Sequence, residues 1–261
     1  MEHPAFSDPL PPVDYDRVQH QNYAQGRALP VDAIQRYMAT FSAYLSPRRP
    51  LVGVDLGSGT GRFTPALAET FGGPIYGVEP ADGMRSVAEA GSSHRRVTYL
   101  AGQAEAIPLP DASADFVLMF LSYHHVADKQ AAAREIRRVL KRDGRFILRS
   151  TFRDRIPDHW WRCYFPGSWD VERAMFPTEL EARQVFGAAG FQTIKSVQME
   201  LPFEGDMSAA VARLKLRSVS IFEHLTEAEM AAGFAGLDAD LSAGAIVEKP
   251  TYGDFIVFAP A

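Results

Sequence analysis

The chain has 261 residues, and its 46% hydrophobic and 23% charged residues give a globular composition that excludes an intrinsically disordered chain. Its 27 basic and 32 acidic residues give a net charge of −5, which argues against a protein that grips nucleic acid through a basic surface. The single cysteine, Cys163, excludes an internal disulfide and a cysteine-based zinc site, and no other pattern requires a metal. The N-terminus lacks a secretory-signal pattern, and no apolar stretch approaches the ~18–20 residues of a membrane span. We therefore expect a cytoplasmic protein.

The N-terminal half predicts helices followed by an alternating pattern of strands and helices. Residues 14–30 show weak helical periodicity, and the apolar residues of 31–45 fall on one helical stripe. Five short apolar runs follow, at 51–55, 75–79, 97–100, 115–120 and 145–150, with helices near 62–71, 81–90 and 128–141 between them. Strands that alternate with helices predict a parallel sheet with helices on both faces.

The C-terminal part has a different character. Residues 151–176 are rich in aromatic side chains and contain all three tryptophans. Further elements are predicted as a helix at 177–191, a strand at 191–200, helices at 211–225 and 226–241, and a strand at 252–260. The composition never changes sharply, so we interpret residues 1–261 as one domain with an N-terminal lid and helical insertions.

The segment LVGVDLGSGTGRF (51–63) predicts a ligand-binding turn. It is a buried strand that ends in Asp55, followed by Gly57, Gly59 and Gly61 at the start of a helix, where open α/β sheets place their ligand. A dinucleotide site needs a small residue at the position of Arg62, and a phosphate loop needs a lysine that is absent. The carboxylate of Asp55 also repels a pyrophosphate and favours a cationic ligand.

A second acid, Glu79, ends the next strand and is placed to accept hydrogen bonds from a ribose diol. A nucleoside with a cationic rather than a phosphorylated tail suits both acids. S-adenosylmethionine, with its ammonium and sulfonium groups, is such a ligand.

Five segments together resemble a known family. VDLGSGTGRF, GVEPADGM, AGQAEAIPLPDASADFVLM, LSYHHV and REIRRVLKRDGRFIL occur in the order typical of class I S-adenosylmethionine-dependent methyltransferases. The subgroup is similar to methyltransferase type 11, the ubiquinone/menaquinone-biosynthesis kind. The resemblance covers roughly residues 50–150. It implies an α/β, Rossmann-like, doubly wound sheet of seven strands, mostly parallel, whose antiparallel last strand lies beside the fifth.

The resemblance also divides the chain and implies its cofactor contacts. Residues 1–47 would form the lid, 48–150 the cofactor-binding core, and 151–261 the part that covers the substrate and closes the sheet. The implied cofactor-binding residues of the core are Asp55, Gly57, Ser58, Gly59, Gly61, Glu79, Pro80, Met84, Gln103, Ala104, Glu105, Leu121 and Ser122. The family usually has Asp at position 103, although an amide oxygen also accepts a hydrogen bond from adenine. In the lid, Tyr15, Tyr23 and Arg27 resemble the family's Y…Y-x-x-x-R pattern, in which Arg27 would pair with the cofactor carboxylate.

The acceptor side is less defined by motifs. His124 and His125 follow the fourth strand, where either one is a candidate base for an acceptor hydroxyl or amine, although packing is an alternative role. The aromatic stretch is interpreted either as local core or as pocket lining. Arg149, Arg153 and Arg155 follow the fifth strand and are candidates for contact with an acidic substrate group, whereas a solvated helix face explains most of the basic run 134–155. The candidate substrate-binding residues are Tyr15, Arg149, Trp160, Trp161, Tyr164 and Trp169.

The sequence thus predicts an S-adenosylmethionine-dependent methyltransferase that releases S-adenosylhomocysteine. The expected acceptor is a small, apolar or aromatic organic molecule methylated on O, N or C. The expected partners include neither nucleic acid nor membrane, and the protein is expected to be a monomer or homodimer. Two alternatives stay open: a protein or RNA methyltransferase, and a non-catalytic S-adenosylmethionine-binding partner or sensor.

Overall fold

A computed structural model of the protein describes residues 10, 11, 13, 15, 20–201, 203 and 205–261. Its described part contains a seven-stranded sheet with the order β3-β2-β1-β4-β5-β7-β6. The strands are β1 (Leu51–Leu56), β2 (Gly72–Glu79), β3 (Val97–Ala101), β4 (Ala114–Phe120), β5 (Leu140–Ser150), β6 (Phe191–Leu201) and β7 (Thr251–Pro260).

The pairing of the strands confirms the predicted fold class. β1 pairs in parallel with β2 and β4, and β2 with β3 and β4 with β5 are also parallel. β7 is antiparallel to both of its neighbours, β5 and β6. The strand order reverses between β1 and β4, so the crevice at their carboxyl ends is where a sheet of this kind binds its ligand.

Helices surround the sheet, and some of them begin at capping residues that the sequence supplies. They are α1 (His20–Gly26), α2 (Val31–Ser42), α3 (Thr64–Phe71), α4 (Asp82–Gly91), α5 (Lys129–Val139), α6 (Ser168–Met175), α7 (Glu179–Ala188), α8 (Met207–Leu214) and α9 (Glu227–Ala243). Thr178 and Glu181 form a capping box at the start of α7, and Thr226 and Glu229 form one at α9. None of the helices in the described part of the chain has the length and apolar character that a membrane span requires.

Two predicted elements differ from the structure. The helix predicted over 211–225 is interrupted, because α8 ends at Leu214 and Arg217 has a left-handed backbone with φ of 52°. A separate short helical turn, Ser220–His224, follows. β5 begins at Leu140 rather than 145, since Leu140 already pairs with Ala114 before a register shift.

Two hydrophobic clusters cover the two faces of the sheet, as helices on both faces require. One contains Ile136 of α5 and Phe186 of α7, and the other contains Tyr37 of α2 and Leu67 of α3. These layers hold the strand ends in fixed positions at the crevice.

The segments inserted between the sheet strands build a third cluster around Trp161 and Phe165. Beside it, the guanidinium of Arg162 is completely buried and forms an ion pair with Glu172 at 2.7 Å. The ring of Trp169 lies 4.3 Å from the same guanidinium carbon. The aromatic stretch is therefore in large part the core of this inserted region.

Candidate active site

Two adjacent cavities lie at the carboxyl ends of β1, β2, β4 and β5. The first, which we call the cleft, has a volume of about 230 Å³ and is lined by Gly57, Glu79 and Gln103 among others. The second, which we call the arginine cavity, has a volume of about 250 Å³ and is lined by residues from β5, β7 and the inserted segments. Four residues line both of them: Tyr15, Tyr23, Phe120 and Leu121. Molecules bound in the two cavities would therefore meet at this shared wall.

The glycine turn after β1 forms one side of the cleft. Gly57 and Gly59 line it with φ angles of +72° and +56°, a backbone conformation that other residues rarely adopt. A Cβ atom on Gly57 would lie 2.6 Å from the Cβ of Ser122 at the end of β4. The turn therefore needs glycine both for its backbone and for the close approach of β4.

The carboxylate of Glu79 organises the turn from the end of β2. Its Oε2 accepts a hydrogen bond from the backbone N–H of Gly59 at 2.8 Å, and its Oε1 accepts one from Ala81 at 3.0 Å. Glu79 also lines the cleft, so a ligand bound there lies beside its carboxylate. Glu79 thus has a structural role, and its contact with a ribose stays a prediction.

Asp55 lies behind the cleft wall rather than on it. The side chain is buried, and its Oδ2 accepts a hydrogen bond from the hydroxyl of Thr64 at 2.7 Å. Burial raises the pKa of this carboxyl to about 6, although Thr64 and the nearby Arg62 oppose the shift. A direct contact of Asp55 with the cofactor stays a prediction.

We expect the substitution Asp55→Asn to stabilise the protein at pH 7.5 by roughly 1–3 kcal/mol. Because the raised pKa makes the folded state bind a proton more tightly, the free energy of unfolding falls as pH rises from about 4 to about 6, then stays lower. Asparagine keeps an acceptor for Thr64 without the buried charge. Thermal unfolding of both proteins at pH 4.5 and 7.5 checks this. An equal difference between them at the two pH values would contradict it.

The structure brings most of the other predicted cofactor residues together in the cleft. These are Tyr23, Pro80, Met84, Gln103, Ala104, Glu105, Leu121 and Ser122. Ser58 and Gly61 do not line it. Gly61 instead packs against Tyr99, whose hydroxyl would lie only 2.2 Å from a Cβ atom at position 61. The Oε1 of Glu105 accepts the backbone N–H groups of Ala127 and Asp128, so this side chain also shapes the loop after β4.

Leu121 has a strained backbone at the wall between the cavities. Its φ is 55°, which is unusual for a residue with a branched side chain, and its N–H donates to the carbonyl of Arg149 at 2.8 Å. This conformation places Leu121 on both cavities. The strain therefore coincides with the junction of the two cavities.

Residues of the predicted lid cover the cavities. The hydroxyl of Tyr15 and Nε2 of His125 lie 2.7 Å apart, and the ring of Tyr15 packs edge-on against Tyr23. Arg27, at the end of α1, lines the arginine cavity rather than the cleft. The lid residues 1–9, 12, 14 and 16–19 lie outside the described residues.

The two adjacent histidines have different environments. His125 lines the cleft and is bound to Tyr15, whereas His124 lines the arginine cavity, and neither of its buried ring nitrogens has a hydrogen-bond partner among the described residues. Burial lowers the pKa of His124 well below its usual value. Burial also lowers the pKa of His125, to about 4, and His224 adds a smaller effect in the same direction. Both imidazoles are therefore neutral at pH 7.

Three arginines give the arginine cavity its charge. Arg27, Arg62 and Arg149 all line it, and Nη1 of Arg62 donates to the carbonyl of Arg27 at 2.7 Å. Arg62 was not predicted as a site residue, because in the sequence it served only to exclude a dinucleotide motif. Its position directly after the glycine turn was the available signal.

The predicted substrate-binding aromatics separate into two groups. Trp161 lines the arginine cavity, and Trp160 lines a neighbouring cavity of about 270 Å³ with Leu201 and Phe203. Tyr164 and Trp169 line neither of these cavities. The hydroxyl of Tyr164 donates to Asp240 at 2.7 Å, and Trp169 packs on the buried Arg162, so both serve the inserted core.

Residues 54–148 match the family model of the methyltransferase domain. This segment carries the glycine turn, Glu79 and the histidine pair, and over it the chain is similar to the methyltransferase domain family. The resemblance predicted from the sequence is thereby confirmed, and the match supports S-adenosylmethionine as the cofactor.

Individual relatives agree with this match. The chain is 34% identical over 105 residues to the uncharacterized methyltransferase YcgJ of Bacillus subtilis (strain 168), covering 36% of this chain and 38% of the relative. It is 33% identical over 144 residues to the ubiquinone/menaquinone biosynthesis C-methyltransferase UbiE of Caulobacter vibrioides (strain NA1000 / CB15N), covering 51% of this chain and 57% of the relative. The chain thus spans less than two thirds of the length of these relatives.

A solved structure extends the likeness to most of the chain. A protein named for methyl transfer in an antibiotic biosynthesis pathway, from Anabaena variabilis ATCC 29413, superposes with a TM-score of 0.74 at 24% identity. The superposition covers 91% of this chain and 100% of that chain. At this identity the likeness shows a shared fold.

Proposed function

We propose that this protein is a cytoplasmic methyltransferase that binds S-adenosylmethionine in the cleft and methylates a small organic molecule in the arginine cavity. The observation that carries the proposal is the shared wall of the two cavities at Tyr15, Tyr23, Phe120 and Leu121. Methyl transfer needs donor and acceptor side by side and in line, and positioning of this kind contributes up to roughly 7–11 kcal/mol.

The residues of the cleft suit the proposed cofactor. Glu79 would hold the ribose diol, and the apolar side chains of Pro80 and Met84 would flank the adenine. When bound, S-adenosylmethionine supplies a methyl group on a positively charged sulfur. The protein's own contribution is to orient both ligands and, through Tyr15 and Tyr23, to keep water from the shared wall.

His124 is the proposed base for an acceptor hydroxyl or amine. Its neutral ring nitrogens have no hydrogen-bond partner among the described residues. The ring centre lies 3.9 Å from that of His125 and 4.6 Å from that of Phe176. An unprotonated imidazole accepts a proton from an acceptor group bound beside it. His125, bound to Tyr15, is instead proposed to hold the lid.

The substitution His124→Phe is expected to lower kcat by about 100-fold and to leave S-adenosylhomocysteine affinity within threefold. Because the pKa of His124 lies well below 6.5, its base form is present throughout the range from pH 6 to 8. The rate of the unmutated protein should therefore show no histidine ionisation in that range. His125→Phe, the matched comparison, should instead weaken S-adenosylhomocysteine binding. A kcat unchanged in His124→Phe would exclude the proposed role.

The basic run offers limited support for an RNA substrate. Four of its nine basic residues have acidic partners, among them Arg138 with Glu135 and Asp111, and Lys141 with Asp115. Paired charges of this kind give little net attraction for a nucleic-acid backbone. The UbiE relatives are named for C-methylation in quinone biosynthesis, and the apolar rings of Phe120, Trp161 and Phe176 in the arginine cavity suit a cyclic acceptor.

The test is titration of the purified protein with S-adenosylhomocysteine, followed by a screen of small acceptors with methyl-labelled S-adenosylmethionine. Micromolar binding together with transfer to a small molecule supports the proposal. Binding without transfer to any small molecule, peptide or RNA would favour the non-catalytic alternative. Absence of binding would overturn the proposal.

A further inference from the structure

The arginine cavity holds more positive charge than the proposed cofactor can neutralise. Arg27, Arg62 and Arg149 line it, and within the described ranges no carboxylate lies within 4.0 Å of their side-chain nitrogens. Among the described residues that line the wall, Glu172 has the single carboxylate, and it is already paired with Arg162. S-adenosylmethionine in the neighbouring cleft has a single carboxylate, which pairs with Arg27 in the arrangement that the resemblance implies. The described residues then leave two guanidinium groups without an anionic partner.

The guanidinium groups of the arginine cavity repel one another, and Arg62 is partly buried. Burial, followed by smaller effects that include Arg27 and Arg149, lowers the pKa of Arg62 to about 10. Asp254 of β7 pairs with Arg155 at 3.7 Å and also interacts electrostatically, more weakly, with Arg149. The neighbouring imidazoles, His124 and His159, both have lowered pKa values and are neutral at pH 7. Since clustered buried cations are unfavourable without a counter-charge, the cavity favours an anionic occupant.

The guanidinium of Arg149 is held in one orientation. Its Nη1 donates to the carbonyl of Ser150 at 2.9 Å, and its carbon lies 5.5 Å from the ring centre of Phe120. The side chain is 7% exposed, and its buried Nε has no hydrogen-bond partner among the described residues. Gly253 of β7 packs closely against this edge, since a Cβ there would lie 3.0 Å from Nε, 3.1 Å from the hydroxyl of Tyr37 and 3.2 Å from Nη2. The guanidinium of Arg149 is thereby fixed at the cavity wall, and a fixed guanidinium is a suitable partner for a carboxylate.

We propose that the methyl acceptor is a carboxylic acid whose carboxylate is bound by Arg149 and Arg62. This inference rests on the proposed function. The remainder of the acceptor would lie against the rings of Phe120, Trp161 and Phe176, which also line the cavity. The carboxylate thereby orients the acceptor, and the methylated atom lies toward Leu121 and the cleft. A carboxylate carries one negative charge between the two guanidinium groups, and phenyl phosphate is the probe for the competing tetrahedral anion.

The experiment measures binding of matched probes to the protein saturated with S-adenosylhomocysteine. The probes are benzoate, 4-hydroxybenzoate and phenylacetate, the amide of each acid, and phenyl phosphate. We expect at least one acid to bind tenfold or more tightly than its amide and than phenyl phosphate. Equal binding of acids and amides, preference for the phosphate, or binding of none of the acids would overturn the proposal.

Two variants locate the effect. Arg149→Met and Gly253→Ala, the latter by displacing the guanidinium edge, should each remove the preference for acids while S-adenosylhomocysteine affinity stays within threefold. Arg153→Met is the control, since Arg153 lies just after β5 and pairs with Glu181 at 2.9 Å, away from the cavity. A preference that survives in Arg149→Met would also overturn the proposal. Loss of S-adenosylhomocysteine binding by the unmutated protein would instead count against the proposed function.

Discussion

Replacing Glu79 with alanine is expected to weaken S-adenosylhomocysteine binding by at least about 100-fold. The carboxylate makes two hydrogen bonds to the backbone N–H groups of Gly59 and Ala81, and it is the proposed acceptor for the ribose diol. Hydrogen bonds to a charged group contribute roughly 1.5–3 kcal/mol each, and about 1.4 kcal/mol corresponds to a tenfold change in affinity. The variant loses the ligand contacts and the fixed shape of the glycine turn together. Calorimetric titration measures the effect.

Glu89→Ala is the matched control for this substitution. Glu89 is exposed on α4, the helix that follows Glu79. We expect its removal to leave the affinity within twofold. Thermal unfolding of each variant separates a binding effect from a loss of structure. An affinity that stays within threefold of the unmutated value in a folded Glu79→Ala protein would refute the assignment of Glu79.

Arg162→Ala is expected to lower the free energy of unfolding by about 3–5 kcal/mol. The guanidinium of Arg162 is completely buried, pairs with Glu172 at 2.7 Å and packs against Trp169. Its removal leaves a cavity in the inserted core and an unpaired, buried carboxylate on the wall of the arginine cavity. Burial already raises the pKa of Glu172 against the opposing effect of Arg162, so the pKa of the orphaned acid should rise further. Urea denaturation at pH 7 measures the loss.

Two further variants test the cause of this loss. The double variant Arg162→Met with Glu172→Met should recover much of the stability, because buried ion pairs are often replaced by apolar side chains without loss. Arg173→Ala removes an exposed arginine that pairs with Asp170, and it should change stability by less than about 1 kcal/mol. A loss below 1 kcal/mol for Arg162→Ala would show that the buried pair contributes little.

The sheet was predictable because its signals are local. Each strand is a short apolar run. The glycines that follow β1 and the acid that ends β2 are adjacent to those runs in the sequence. The position of β7 between β5 and β6 was predicted only from the family resemblance, since nothing within the strand 252–260 specifies its neighbours. The pairing of Leu140 with Ala114, which starts β5 early, is likewise a contact between distant parts of the chain.

The site was predicted in part for the same reason. Glu79 and the glycine turn carry their function in their position along the sequence. Arg62 becomes a site residue only because α1 and β5 bring Arg27 and Arg149 to it. Asp55 does not line the cleft, and its carboxylate accepts a hydrogen bond from Thr64, nine residues later, which the sequence pattern does not report. No spacing rule reports that Arg162 is buried, since its partner and its stacking ring belong to a different helix.

The shared wall of the two cavities affects how the ligands bind. Tyr23 of α1 and Tyr15 before it line both the cleft and the arginine cavity. A molecule in either cavity that holds these side chains in place reduces the conformational entropy that the second molecule must remove. The two affinities are then thermodynamically linked, and each ligand strengthens the other by the same factor. If both products leave past these two side chains, one local motion there limits the release of each.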